Sequence, residues 1–357
     1  MGLFSRYKKS EGTPKKSRSA QLEIGAITKL TAVGCQVSFI VPEELKASYS
    51  FEAGQYLNLH CEVNGEVLSR SYSICSGKEE ALSVAVKAIE GGKVSNWILN
   101  HLKPGMQLEV DFPQGNFKLS KDAKKVVAFV AGSGITPILS MAKSLSDSQQ
   151  MELFYGNRTQ SSTFFHSEIN ALKNVNAHFY FSQETVEGAH KGKLDKETIS
   201  EIIKADLSLL RADGFYICGP EAMIIAIQEA LLVFGVEKSK IHFELFTTPV
   251  LMKQETTTVD ANFEGISSVS AMMDGEVVKI QLSTKGKSLL DALDGAGMDV
   301  PFSCKGGVCC TCKAKVVEGS ARMNMNYALT DEEVKEGYIL TCQAHPTSEV
   351  LKISFDV

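Results

Sequence analysis

Four cysteines, Cys304, Cys309, Cys312 and Cys342, are spaced C-x4-C-x2-C and then, after 29 intervening residues, C. That pattern can hold two bridged irons, with two thiolates on each, which is the spacing of a [2Fe–2S] cluster. A structural zinc site asks instead for paired C-x2-C knuckles, and only one such pair is present. Three ligands from one short loop require a backbone that wraps closely around metal. The loop CKGGVCCTC supplies Gly306 and Gly307 where side chains would crowd the cluster and where positive φ is expected. Cys310, between ligands, reads as a small buried hydrophobe rather than a fifth ligand. The other cysteines, Cys35, Cys61, Cys75 and Cys218, are scattered. Nine cysteines with no export signal do not make a disulfide framework, and a reducing, cytoplasmic setting is expected.

A cluster must be fed, and two upstream segments offer the groups to do it. RSYS places Arg70, Ser71, Tyr72 and Ser73 on one strand. Arg70, Tyr72 and Ser73 alternate with Ser71 and are expected to face one side, where a guanidinium, an aromatic ring and a hydroxyl suit a ligand with a phosphate and a flat ring. EGGKVSNWI follows, with Gly92, Val94 and Ser95 at the start of a helix whose N–H groups can meet a pyrophosphate. Ser95 is a candidate cap, and Trp97 reads as packing.

Further on, KKVVAFV is a continuous apolar strand, as in a buried parallel sheet. It runs into AGSGITP, where Gly132 and Gly134 bracket a tight turn. Thr136 is expected to cap the helix that Pro137 opens. GFYICGPEAM repeats the arrangement, with a strand ending at Cys218, then Gly219, where a ligand can approach, and Pro220, where a helix starts. Arg158, with Thr159, Ser161 and Ser162, could bind a 2′-phosphate, which favours NADPH over NADH.

The elements that must position these groups divide the chain. Residues 1–20 carry six bases against one acid in a protein of net charge −5, so the rest is near −10. This leader reads as disordered and solvated, and the acidic body argues against nucleic-acid binding. No apolar run reaches the length of a membrane span. Short β-rich segments punctuated by glycine and proline turns over 21–122 predict an antiparallel barrel. The α/β pattern of 123–246 predicts a parallel sheet. A polar linker is expected over 247–267. Over 268–357, two strands around Asp274–Gly275, a helix from Ser288 to Gly297, the cysteine loop and later strands near Tyr338–Gln343 and Leu351–Phe355 predict a compact cluster domain.

That C-terminal pattern resembles the β-grasp of plant-type ferredoxins. R-x-Y-S and G-x-V-S, with Gly54–Gln55–Tyr56 upstream, resemble the FAD barrel of the ferredoxin–NADP reductase superfamily. GSGITP and CGPEAM in this order resemble its nicotinamide domain. The resemblance implies that Arg70 contacts the flavin pyrophosphate, that Tyr72 packs on the isoalloxazine and that Ser73 lies near its reactive nitrogen. It also implies that Gly92, Val94 and Ser95 hold the pyrophosphate. Thr136 and Cys218 are placed near the nicotinamide, with Cys218 orienting rather than attacking. Glu244 and Phe246, in KIHFELF, fall where family members cover or tune the flavin. The domain order resembles the reductase components of multicomponent oxygenases. CKGGVCCTCKAKVVEG followed by MNMNYALTDEEVKEGYILTCQAHP is similar to the reductase subunits of phenylacetyl-CoA epoxidases. The resemblance implies an NAD(P)H-dependent oxidoreductase that uses FAD and a [2Fe–2S] cluster and has a terminal oxygenase as protein partner. Reductases of other hydroxylases, and general NAD(P)H:acceptor reductases, share the layout.

Overall fold

The computed structural model describes residues 18–247, 250–251 and 263–356. Residues 1–17 of the basic leader and most of the expected linker therefore lie outside the described residues. The chain divides into two compact units. The larger holds Ser19–Gln254 with the loop Ser303–Cys310, and the smaller holds the rest of the C-terminal part.

The larger unit opens with the barrel. Its strands are β1 (Ser19–Thr31), β2 (Gly34–Ile40), β3 (Tyr56–Val63), β4 (Glu66–Ser73), β5 (Ser83–Lys87) and β6 (Gln107–Asp111). Two residues assigned to the leader, Ser19 and Ala20, are already strand, paired with Asp111 and Val110. The sheet is antiparallel in the order β4-β3-β6-β1-β2-β5, and a bridge from Ile74 to Val84 draws its two edges together. Alternating residues fill the interior: Leu22 and Ile24, Val37 and Phe39, Leu57 and Leu59, Val84 and Val86. Helix α1 (Lys93–His101) packs Val94 and Ile98 onto this core, and Trp97 joins them as packing.

The same unit continues into a parallel sheet. Its elements are β7 (Lys125–Ala131), α2 (Ile135–Lys143), β8 (Gln150–Asn157), α3 (His166–Ala171), β9 (Val175–Phe181), β10 (His190–Lys191), α4 (Lys196–Ala205), β11 (Gly214–Cys218), α5 (Glu221–Val233) and β12 (Ile241–Glu244). Strand order is β10-β9-β8-β7-β11-β12, all parallel. The order reverses between β7 and β11, and a ligand crevice forms outside the carboxyl ends of strands at such a point. Both glycine turns leave the sheet there. A Cβ on Gly134 would lie 2.2 Å from the Cys218 carbonyl oxygen, so the two turns touch backbone to backbone.

The smaller unit is the expected β-grasp. Its elements are β13 (Ile266–Met273), β14 (Glu276–Ser283), α6 (Leu289–Asp294), β15 (Lys313–Glu318), β16 (Ala321–Met323), α7 (Asp331–Lys335), β17 (Tyr338–Leu340), β18 (Ala344–Pro346) and β19 (Val350–Ser354). The main sheet runs β14-β13-β19-β15-β17, with β13 and β19 parallel. Ser288 caps α6 by accepting from the Asp291 N–H, and Leu289, Leu290 and Leu293 are buried. Strand β17 stops at Leu340, short of the expected Gln343, so Cys342 sits in the turn after it. Among the described residues, no helix is long and apolar enough to cross a membrane.

The contact at Gly134 carries a prediction. Its φ of −60° suits any residue, so only space demands glycine. Gly134→Ala is expected to destabilise the protein by about 1–3 kcal/mol in thermal unfolding, the usual cost of overpacking. Gly156→Ala serves as the control, because its Cβ would meet Leu194 at an ordinary 3.5 Å.

Candidate functional site

The two-residue period of a strand decides how RSYS is used. Strand β4 pairs with β3 in unbroken register, Leu59 to Arg70, Leu57 to Tyr72 and Tyr56 to Ser73. Arg70 and Tyr72 therefore share one face, and Ser71 and Ser73 share the other. The expectation that Arg70, Tyr72 and Ser73 face one side fails on that alternation. Tyr72 packs against the barrel core. Arg70 is exposed, and its guanidinium donates to the adjacent Ser69 carbonyl with no carboxylate beside it among the described residues. Ser71 donates to Asn58 at 2.7 Å.

Ser73 is buried and donates to Glu244 Oε2 at 3.1 Å. Glu244 ends β12, in register with Cys218 at the end of β11. A barrel hydroxyl, a carboxyl and a thiol thus meet at the carboxyl edge of the parallel sheet. Burial pushes the Glu244 carboxyl up to about 8 against the bonding effect of Ser73. Burial, then the charge of Glu244, holds the Cys218 thiol well above its ordinary range, so it stays protonated. An inert thiol suits an orienting role. Phe246, two residues past Glu244, is 44% exposed and is not drawn into this group.

The helix starts differ in detail from expectation. Ser95 does not cap α1. Gly92 holds the cap position, and the Ser95 hydroxyl accepts the Ile89 N–H at 3.3 Å. The Gly92 N–H itself donates to the Ile89 carbonyl, which leaves the first-turn N–H groups at Lys93, Val94 and Ser95 for an anion. Thr136 does not cap α2 either. Residues Gly132–Gly134 form a 3-10 turn that runs into the helix at Ile135, so Thr136 and Pro137 are already inside it. The Thr136 hydroxyl donates back to the Ser133 carbonyl at 3.0 Å. Around Cys218 the expected arrangement is present. The strand ends there and Pro220 leads into α5. A Cβ on Gly219 would collide with Met223 Cε at 2.5 Å.

Arg158 is exposed, just beyond β8. Thr159 and Ser162 are occupied in a reciprocal capping box, while the Ser161 hydroxyl lies 3.2 Å from that of Thr159. Sequence reasoning missed Lys87. It ends β5, its Nζ lies 3.5 Å from where a Gly132 Cβ would stand, and burial and the charge of Arg158 lower its pKa. The available signal was a lysine closing the apolar strand SVAVK just before the Gly91–Gly92 turn. Arg70, Lys87 and Arg158 are cations with no ion pair among the described residues, as anion ligands should be. Asn157 adds a buried amide nitrogen with no partner among them. These groups fit a dinucleotide and a flavin.

In the cysteine loop, the Cys304 and Cys309 sulfurs lie 3.1 Å apart, and the Gly306 N–H points to Cys304 Sγ at 3.3 Å. Thr341 donates to the Cys312 carbonyl from its amide at 3.1 Å and its hydroxyl at 3.0 Å, which sets Cys342 beside Cys312. Positive φ falls on Lys305 and Gly307, whereas expectation placed it on the glycine pair. Cys310 is half-buried rather than buried, and its amide donates to the Tyr56 hydroxyl at 3.0 Å. Among the described residues, no three His, Cys, Asp or Glu side chains converge as one metal ion requires. A two-iron cluster does not ask for that, since each iron takes two thiolates. The donor set fits such a cluster.

Comparison with known proteins agrees with these groupings. The family described as "Oxidoreductase FAD-binding domain" matches residues 27–119, "Oxidoreductase NAD-binding domain" matches 129–229, and "2Fe-2S iron-sulfur cluster binding domain" matches 272–347. The chain is 36% identical over 348 residues to a 1,2-phenylacetyl-CoA epoxidase subunit from Escherichia coli, covering 94% of this chain and 97% of that protein. It is 32% identical over 352 residues to the ferredoxin reductase component of 3-ketosteroid-9-alpha-monooxygenase from Rhodococcus rhodochrous, covering 96% and 98%. Phthalate dioxygenase reductase, solved as a modular structure for electron transfer from pyridine nucleotides to [2Fe–2S], aligns with TM-score 0.58 at 25% identity, covering 94% of this chain and 98% of its own.

The geometry leads to two expected outcomes. With Glu244 at about 8 against an ordinary 4.5, the folded apoprotein keeps a proton that the unfolded chain has released. Its stability from this group is complete below about 4.5 and is lost as pH rises through about 8. In Glu244→Gln that decline should flatten, as read by thermal unfolding of the apoprotein from about pH 5 to about pH 8.5. For the cluster, serine at Cys304, Cys309, Cys312 or Cys342 should abolish the reduced [2Fe–2S] EPR signal, and Cys310→Ser should keep it.

Proposed function

This chain belongs to the ferredoxin–NADP reductase superfamily, among the oxygenase reductase components with FAD-binding, NAD-binding and C-terminal [2Fe–2S] domains, and on that premise we propose that it delivers electrons from NADPH to the oxygenase component of a phenylacetyl-CoA epoxidase. It is an NAD(P)H-dependent oxidoreductase. Bound FAD would supply the two-electron to one-electron conversion between nicotinamide and cluster. The observation that carries the hydride step is the meeting of Ser73 with Glu244, next to Cys218, where the barrel adjoins the nucleotide sheet.

We take 19–122, 123–246 and 266–357 as the three working domains, since Ser19 and Ala20 belong to β1 and Ile266 and Ser267 to β13 rather than to the leader and linker expected over 1–20 and 247–267. Arg70 pairs with the flavin pyrophosphate, helped by the first turn of α1 at Gly92, Val94 and Ser95. Tyr72 presents its ring to the isoalloxazine, and Ser73 stands by the reactive nitrogen with its hydroxyl held by Glu244. Ser71 supports that strand through Asn58. Gly132, Gly134, Thr136, Cys218, Gly219 and Pro220 shape the nicotinamide side. Cys218 acts by its bulk and position, and Phe246 borders the flavin. Arg158, with Ser161 and with Lys87 nearby, receives the 2′-phosphate. Cys304, Cys309, Cys312 and Cys342 hold the cluster. Identity of 36% along almost the whole of both chains supports the epoxidase as partner, against 32% for the steroid monooxygenase component.

Anaerobic titration with NADPH and with NADH, followed by visible absorbance and EPR, tests the donor. NADPH should bleach the flavin at lower concentration. Arg158→Gln should raise the KM for NADPH roughly ten- to hundredfold, the worth of a hydrogen bond to a charged group, and leave NADH unchanged. Reconstitution tests the partner. Turnover with a phenylacetyl-CoA epoxidase oxygenase, and none with a steroid 9α-hydroxylating oxygenase, is the expected result. The reverse would transfer the protein to the second system.

A further inference from the structure

Lys143, the last residue of α2, stands outside every role assigned above. Its side chain is only 8% exposed, yet it carries a charge. Two carboxylates answer that charge, Glu80 at 2.7 Å and Glu168 at 2.5 Å. Burial works against the ammonium, but hydrogen bonds to Glu168 and Glu80 hold its pKa above the ordinary lysine value. A charge this enclosed is costly to leave unpaired, and a clamp of two acids on one base fixes geometry more than it adds stability.

The three residues come from three places. Glu80 lies in the turn after β4, seven residues beyond Ser73. Glu168 lies on α3. Lys143 ends the helix whose first turn carries Thr136 and follows the Gly132–Gly134 turn. The same helix grips the barrel beside the clamp. Ser140 donates to the Ser76 carbonyl at 2.8 Å, and the Gly77 N–H donates to Glu80 Oε2 at 3.0 Å. Nine helical residues span about 13 Å, so α2 is a rigid bar between the nucleotide turn and this anchor.

We propose that Lys143, clamped by Glu80 and Glu168, is a positioning residue for hydride transfer: it sets the barrel strand bearing Ser73 against the nicotinamide turn at the other end of α2. This rests on the reductase reading above. Lys143 lies at the opposite end of α2 from the Gly132–Gly134 turn. It acts through the strand and the helix, and its removal leaves two half-exposed carboxylates, Glu80 and Glu168, facing each other without the cation they share. The repulsion pushes the turn after β4 away from α2.

The test is stopped-flow reduction of the FAD-loaded full chain by NADPH, comparing wild type, Lys143→Met, Lys143→Arg and Glu80→Gln. Lys143→Met should keep its FAD and its cluster EPR signal. Its limiting rate of flavin bleaching should fall roughly ten- to hundredfold, as small misplacements of reacting atoms do. The long-wavelength charge-transfer absorbance formed on mixing, which reports ring stacking, should weaken with it, and KM should change less than the rate. Lys143→Arg should restore both signals. A Lys143→Met protein that holds FAD and bleaches at the wild-type rate would overturn the inference, as would a rate lost only in proportion to lost FAD. Should Lys143→Met not accumulate as folded protein, Glu80→Gln decides: a severalfold slower limiting rate supports the proposal, and an unchanged one refutes it. If wild type itself is bleached by neither nucleotide, the reductase reading fails instead.

Discussion

Helix α2 is buried along nearly its whole length, from Ile135 to Ala142. A helix buried on every side has no solvent face and must be enclosed by other elements. Here the sheet strand β7 lies behind it and the barrel segment after β4 lies before it. The constraint is steric at one end and ionic at the other. Gly134 meets the backbone of Cys218 where no side chain fits, and Lys143 is held by two acids. Between them, Met141 packs against the place where a Gly54 Cβ would stand, so the turn before β3 must stay bare. The proposed site depends on this helix because the groups assigned to flavin and nicotinamide come from elements on both of its sides.

The chemistry asked of the side chains is correspondingly modest. Redox steps belong to the bound groups, so the chain contributes alignment, charge and exclusion of water. Among the described residues, Arg70, Lys87 and Arg158 have no ion pair, unlike Lys143, Lys118 and Lys196, which carboxylates already satisfy. A cation without an acid is available to a phosphate, and one with an acid is part of the scaffold. Cys218 shows the same division within one residue type. It is buried and protonated at a strand end, whereas Cys304 and Cys309 lie in a loop whose Gly306 N–H turns toward the Cys304 sulfur.

Local pattern made much of this legible in advance. The C-x4-C-x2-C loop, the Gly-rich strand-to-helix turns and the apolar run KKVVAFV carry their meaning in adjacent residues, because ligand spacing, turn chemistry and burial on both faces are short-range requirements. The cap of α6 at Ser288 was equally local. Cap assignments at Ser95 and Thr136 failed because a hydroxyl near a helix start can bond in either direction. Which bond forms depends on where the backbone enters the first turn, and the 3-10 turn at Gly132–Gly134 moved that entry upstream.

The sequence by itself determined the order of the domains and the motifs that propose a cluster and two cofactor surfaces, since all of these are written in contiguous residues. Tertiary structure alone decided which groups act together. Ser73 and Glu244 are 171 residues apart and meet only because β12 is added to the edge of the parallel sheet beside β11. Lys87 comes beside the Gly132 turn only when β5 brings it there, and Lys143 becomes a clamp only when the turn after β4 and helix α3 close on it. Pairing across such separations is set by the summed burial of whole elements, a long-range quantity that no local spacing encodes.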